Sequence, residues 1–301
     1  MLGQNSEWFK EEEKKEERQS LPQAIIDKLT DEKISSNANG LVLTQLKKNG
    51  VGTIILNRID KLNALSHAFV DEIISALDDF TAKKARVVIL KSNVGDKKIW
   101  SVGHDVSELP KGGRDPLAHN DSLCCLSRKI TEVPYPVIAM VDGSVWGGAC
   151  EVVFACSMIV ASDKATFAFT PAKMSVPYNM AGLVNFMNNA GLHLLKEMIC
   201  TAQPILATRF EKAGIVNYAL PDSEVQKKVD ELAEQIAKNS PLAITAMLAE
   251  LNMMAGARSL PPLEWERMQG LRRKAYDSED YKEALNAFLS KPRRDPIFKG
   301  E

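Results

Sequence analysis

Two short blocks hold the chemistry this chain can offer: Ser101-Val102-Gly103-His104-Asp105 and Gly143-Ser144-Val145-Trp146-Gly147-Gly148-Ala149-Cys150-Glu151. Each lies beyond an apolar run of strand character, residues 87–90 and 137–141, and the pattern predicts that each opens a helix. A junction of this kind aims a backbone N–H at a spot where anions and developing oxyanions are favoured. Two such donors converging on one point make an oxyanion hole, which stabilises a carbonyl oxygen as it gains charge. That chemistry needs no side-chain nucleophile. His67, His119 and His193 lack metal-ligand spacing, and so do the five cysteines, Cys124, Cys125, Cys150, Cys156 and Cys200.

The elements that must position these blocks are legible in part. Residues 41–46 and 51–56 alternate as strands around Asn49-Gly50, a hairpin signal. Ser66 is a suitable N-cap for a helix reaching Phe80, with Phe69, Ile73, Ala76, Leu77 and Phe80 at helical spacing. Residues 158–161 and 167–169 read as short strands, and beyond Ala181 the pattern is mostly helical. Residues 224–238 are amphipathic. Ser240-Pro241 supplies a cap followed by a proline at the first helical position, and residues 263–275 and 280–289 predict two more helices. Strands mixed with helices, then helices alone, imply an α/β core followed by a helical appendage.

The chain has 301 residues, 45% of them hydrophobic and 26% charged, the profile of an ordinary globular protein. Its formal net charge of −1 leaves no electrostatic footprint for nucleic acid. No apolar run approaches the roughly 18 residues that span a bilayer, and residues 1–40 are charged, without a signal or transit pattern. The run Glu11-Glu12-Glu13-Lys14-Lys15-Glu16-Glu17-Arg18 is too polar to bury a face, so residues 1–40 are expected to form a flexible extension. An odd cysteine count without a disulfide framework points to a reducing compartment, the cytoplasm by default.

From residue 41 onward the chain resembles the crotonase superfamily, the acyl-coenzyme A enzymes related to enoyl-CoA hydratase. The resemblance rests on Asn57-Arg58, on Lys61-Leu62-Asn63-Ala64-Leu65, on both blocks above, on residues 207–216, and on Ser278-Glu279-Asp280 with Ala287-Phe288-Leu289. It implies a spiral of β-β-α turns over residues 41–238. It also implies a C-terminal helical region, 239–301, that builds homotrimers, often paired as hexamers. The thioester carbonyl would then be bound by the backbone N–H groups of His104 and Gly148. A glycine at 148 lets a carbonyl approach main chain with no Cβ in the way. Lys61, Leu62, Ala64 and Asp105 match positions that contact coenzyme A. Gly103, Trp146, Gly147 and Pro177 match the substrate-binding surface around the carbonyl, Trp146 as a pocket wall.

Hydratases of this superfamily use two glutamates. The first position here is Glu151; the second falls on Pro171, which can neither accept nor deliver a proton. Other stretches resemble the bacterial branch that decarboxylates methylmalonyl-CoA. They are Glu108-Leu109-Pro110, Gly112-Gly113-Arg114-Asp115-Pro116-Leu117, Val176-Pro177-Tyr178-Asn179 and Gln269-Gly270 with Arg272-Arg273. That branch implies a tyrosine, here Tyr178, handling the departing carboxylate, and no cofactor beyond the coenzyme A of the substrate. Glu151 without a partner at 171 reads as a buried supporting group more than a base, and Arg272 and Arg273 as a solvated helix face or a coenzyme A or subunit contact. The rival readings are enoyl-CoA isomerisation or hydration with Glu151 as lone base, and a non-catalytic acyl-CoA-binding trimer.

Overall fold

The computed structural model describes residues 35–36, 40–111, 114–118, 120–256 and 262–300. The acidic run, His119 and Gly112-Gly113 lie outside them. All described residues fall within one unit, Ser35–Glu301.

Eleven strands among the described residues form two sheets. The larger runs in the order β1 (Ser35–Ser36), β2 (Val42–Leu46), β3 (Val51–Leu56), β4 (Val87–Ser92), β6 (Val137–Val141), β8 (Met158–Ser162) and β11 (Tyr218–Leu220). It begins antiparallel and is parallel from β3 onward. The smaller sheet is β10 (Ile205–Leu206), β9 (Thr166–Ala168), β7 (Ser144–Trp146) and β5 (Ile99–Ser101), with β5, β7 and β9 parallel. The chain gives one strand to the large sheet, one to the small sheet, then a helix, and repeats. This is the expected spiral: β4, β5, α2 (Ser122–Glu132); β6, β7, α3 (Ala149–Phe154); β8, β9, α4 (Met180–Asn189).

Burial explains the sequence of β4. Val88 and Leu90 point into the main core, while Val87 and Ile89 join a second cluster with Val225, Val229 and Ala233 of α7 (Asp222–Lys238). A strand covered on both faces reads as continuous hydrophobicity rather than alternation. Helix α1 (His67–Ala82) starts where expected, its cap Ser66 accepting from the Phe69 amide at 3.4 Å, and buries Phe69, Val70, Ile73, Ala76, Leu77 and Phe80. Helices α5 (Leu192–Thr201), α6 (Ala207–Lys212), α8 (Pro241–Gly256), α9 (Pro262–Tyr276) and α10 (Glu279–Leu289) complete the chain.

Two expectations need correction. Block one does not open a helix: Gly103 turns the chain at φ +82°, and the next element is a three-residue 3-10 turn, Val106–Glu108, capped by Asp105. The turn stops because Pro110 comes within two residues and disfavours helix at its predecessor. The segment beyond Ala181 is also not purely helical, since β10 and β11 lie within it. At two and three residues they are too short to leave a periodic signal.

Candidate active site

The site forms at the carboxyl ends of β5 and β7, neighbours in the small sheet. After β5, residues 102–105 lie against residues 62–65. Val102 N–H donates to the Leu62 carbonyl (3.2 Å), Leu65 N–H to the Gly103 carbonyl (2.8 Å) and Asp105 N–H to the Leu65 carbonyl (3.2 Å). This bridge uses the groups on either side of His104 and leaves the His104 amide unused. After β7, the Gly147 amide donates to the Ala168 carbonyl (2.8 Å) and α3 begins at Ala149, so the Gly148 amide is likewise unused. Among the described residues neither amide has a hydrogen-bond partner.

Gly103 is what lets these amides approach each other. A Cβ at that position would lie 2.6 Å from the Trp146 carbonyl oxygen and 2.8 Å from the Gly148 nitrogen. Gly148 is bare for a different reason from the one expected. A Cβ there would meet Leu123 Cδ2 of α2 at 2.5 Å, while lying 3.9 Å from the His104 nitrogen. The missing side chain at 148 thus lets α2 pack against the junction.

Asn63 holds the neighbouring turn. It is buried, its Nδ2 donates to Ser92 Oγ (2.7 Å) and to the carbonyls of Asn93 (2.9 Å) and Trp100 (3.1 Å), and its Oδ1 accepts from the Arg58 amide (2.8 Å). Leu62 and Asn63 both adopt left-handed backbone, at φ 53° and 52°. Arg58 donates to the Ala64 carbonyl (2.8 Å) and pairs with Asp105 (2.9 Å). Burial alone would push the Asp105 carboxyl up, but hydrogen bonds from Ser107 and Arg58 outweigh it and hold the group below its ordinary value. Leu62, Ala64, Gly103 and Asp105 are therefore drawn together, and Lys61 stands exposed at the end of the adjoining 3-10 turn, Ile59–Lys61. Trp146 is half-buried at the end of β7 and Gly147 is buried beside it.

On the other side lie Glu151 and Tyr178, both buried. The Tyr178 hydroxyl donates to Glu151 Oε2, so the phenol expected to face substrate alone already has a partner. Burial pushes the Glu151 carboxyl up, and the Tyr178 hydrogen bond offsets only part of that; burial and the Glu151 charge together drive the Tyr178 phenol far up. The Tyr178 ring packs edge-on against Phe169 and Phe186, with centroids 4.5 and 5.9 Å away. Asn179 caps α4, its Oδ1 accepting from the Gly182 amide (2.7 Å), and its Nδ2 reaches Cys124 Sγ (3.1 Å). Pro171, where a hydratase carries its second glutamate, begins a 3-10 turn, Pro171–Met174.

Several supports escape the sequence reading. A Cβ on Gly182 would strike the Tyr178 ring and stand 3.0 Å from Glu151 Oε2. A glycine inside a helix costs about 1 kcal/mol against alanine and so calls for a reason; that was the available signal. Asp121 caps α2 through the amides of Leu123 (3.1 Å) and Cys124 (3.4 Å), and also meets His104 Nε2 at 3.1 Å. The His104 side chain is therefore engaged, tying the first junction to the start of α2. Arg272 is no solvated residue: it is 6% exposed and lies against Asp115 and the Pro177 carbonyl. A cavity of about 530 Å³ opens beside Glu151 and Asn179, with Cys124 and Leu117 in its wall.

A family model described as enoyl-CoA hydratase/isomerase matches residues 46–301. The chain is 44% identical over 252 residues to a methylmalonyl-CoA decarboxylase of Escherichia coli (strain K12), covering 84% of this chain and 95% of that protein. It is 30% identical over 248 residues to a probable mitochondrial enoyl-CoA hydratase of Dictyostelium discoideum, covering 82% and 88%. A solved methylmalonyl-CoA decarboxylase in complex with 2-nitronate-propionyl-CoA superposes with a TM-score of 0.84 at 41% identity, covering 89% of this chain and 100% of that one.

Proposed function

The chain belongs to the enoyl-CoA hydratase/isomerase family, and we propose from that premise that it decarboxylates methylmalonyl-CoA to propionyl-CoA and carbon dioxide. The observation that carries the reading is the pair of amides, His104 and Gly148, without a partner among the described residues and brought side by side by the bare Gly103. In the reaction the bond between the carboxylate carbon and the α-carbon breaks, and its electron pair passes onto the thioester oxygen as an enolate. Each oxyanion-hole donor is typically worth about 2.7–4 kcal/mol. The thioester serves as the electron sink, so no further cofactor enters this reading.

Tyr178 is the polar group assigned to the substrate carboxylate. A neutral phenol, once its single O–H turns from Glu151 to the substrate, can hold the carboxylate out of the thioester plane without gripping it as a cation would. A positive charge at that place would penalise conversion of the carboxylate to neutral carbon dioxide. Once carbon dioxide leaves, the enolate takes up one proton from solvent at the α-carbon, and propionyl-CoA results. The coenzyme A chain is assigned to Lys61, Leu62, Ala64 and Asp105, and the acyl end to Gly103, Trp146, Gly147 and Pro177. The cytoplasm is the compartment that suits five free thiols.

Residues 239–301 are assigned to assembly as a homotrimer or a dimer of trimers. What supports this is α8, whose apolar residues lie on all sides and whose Leu242, Met247, Leu251, Met253 and Met254 are exposed. The test of function is to incubate purified protein with methylmalonyl-, malonyl- and crotonyl-CoA and to identify products by mass. Propionyl-CoA from the first, with no hydration of the third, is the outcome expected. Hydration of crotonyl-CoA without decarboxylation would replace this reading with the Glu151 base chemistry.

A further inference from the structure

Arg272 lies on α9, more than ninety residues from Tyr178 in sequence, yet its guanidinium is gripped at the edge of the site. Nη2 and Nε hold the two carboxylate oxygens of Asp115, the latter at 3.3 Å. Nη1 donates to the Pro177 carbonyl at 2.6 Å, and Nη2 reaches the Leu117 carbonyl at 3.3 Å. The ion pair joins two largely buried side chains. Only a planar fork with several fixed donors can span a carboxylate and two main-chain oxygens at once.

The Pro177 carbonyl belongs to the peptide plane that ends at the Tyr178 nitrogen. Fixing that oxygen holds the plane in which the Tyr178 nitrogen and Cα lie, and so the point from which the Tyr178 side chain departs. Asp115 balances the guanidinium charge, so the fork adds no free cation beside the departing carboxylate. A second tether from the C-terminal helices acts nearby: the fully buried Tyr281 of α10 donates to the Pro110 carbonyl at 2.6 Å.

We infer that Arg272 is a positioning residue for Tyr178, so that α9 and the segment at Asp115 set the carboxylate end of the site within one protomer. The inference rests on the decarboxylase reading. It assigns to the C-terminal helices a role in turnover besides assembly.

The test is a double-mutant cycle on methylmalonyl-CoA. Arg272→Gln should lower kcat by roughly tenfold to a hundredfold, the scale of loss from a small misplacement of a reacting group, with KM nearly unchanged. In a Tyr178→Phe background the same change should cost nothing further. Equal losses in both backgrounds would overturn the inference. Arg272→Lys, which keeps charge but not the fork, should stay impaired; full activity in that variant would also overturn it. Should Arg272→Gln fold poorly, Asp115→Asn enters the cycle in its place with the same two outcomes. A readout independent of catalysis uses 3-fluorotyrosine at 178, whose fluorine resonance should shift in folded Arg272→Gln; an unmoved resonance counts against positioning. Wild-type protein that leaves methylmalonyl-CoA intact while the resonance shifts would remove the decarboxylase reading and keep Tyr178 dependent on Arg272.

Discussion

Gly103 and Glu151 are single residues on which different parts of the site depend. Gly103→Ala places a Cβ 2.6 Å from the Trp146 carbonyl in a backbone region that alanine resists. The two junctions must then separate, and turnover of methylmalonyl-CoA should fall about 10²–10³-fold, the cost of one oxyanion donor. An alanine variant of near-normal rate would show that the amides need not be this close. His104→Ala should be far milder in the same assay, because the donor is main chain. For Glu151 the sign of the pH effect comes from burial, which raises its folded-state pKa. A carboxyl raised on folding lends stability that is fully present below its ordinary value and is lost as pH climbs through the raised one. Glu151→Gln never ionises, so its Tm should gain on the parent as pH rises above about 4.3, the ordinary glutamate value. Parallel Tm curves would mean that Glu151 is not ionised at the expense of the fold. The sequence displays Glu151 and Tyr178 as candidates but not their bond to each other. They stand 27 positions apart, and only the bare Gly182 hints at crowding.

Helices and strands determine which of these residues meet. Asp121 serves two elements at once, capping α2 and receiving the His104 ring. Asp121→Ala should therefore cost about 0.5–2 kcal/mol, the usual range for a lost N-cap, measured by urea denaturation, and should also loosen the first junction. A loss confined to activity would mean the cap contributes nothing. At this scale the long elements are legible: Ser66, Asn49-Gly50 and Ser240-Pro241 each mark a boundary through local backbone chemistry. Short ones are not. The 3-10 turn after block one depends on Gly103 and Pro110 together, and β11 exists only because β8 offers it an edge. Arg272 escapes a sequence reading because charge on a helix usually faces water, and nothing local announces a carboxylate 157 positions away.

For the molecule as a whole, α8 is apolar around its circumference and much of that surface is open, Leu242 at 81% and Met253 at 76%. On the proposed trimeric assembly, Leu251→Asp should lower the mass seen in light scattering while leaving the protomer's far-ultraviolet circular dichroism intact. A monomeric parent protein would contradict the assigned role of this helix. The spiral is legible only through the family resemblance that the two blocks help to carry; the residue pattern alone gives an α/β core with a helical appendage. The spiral's regularity has a consequence for the proposed grip on the carbonyl. His104 and Gly148 come after β5 and β7, adjacent strands of one sheet, and adjacent strands lie about 4.8 Å apart. The spacing of the two proposed donors is thus inherited from sheet pitch together with the bare Gly103. On the proposed reading, the side chains at the mouth select the reaction while two adjacent strands set the gauge of the grip on the developing charge.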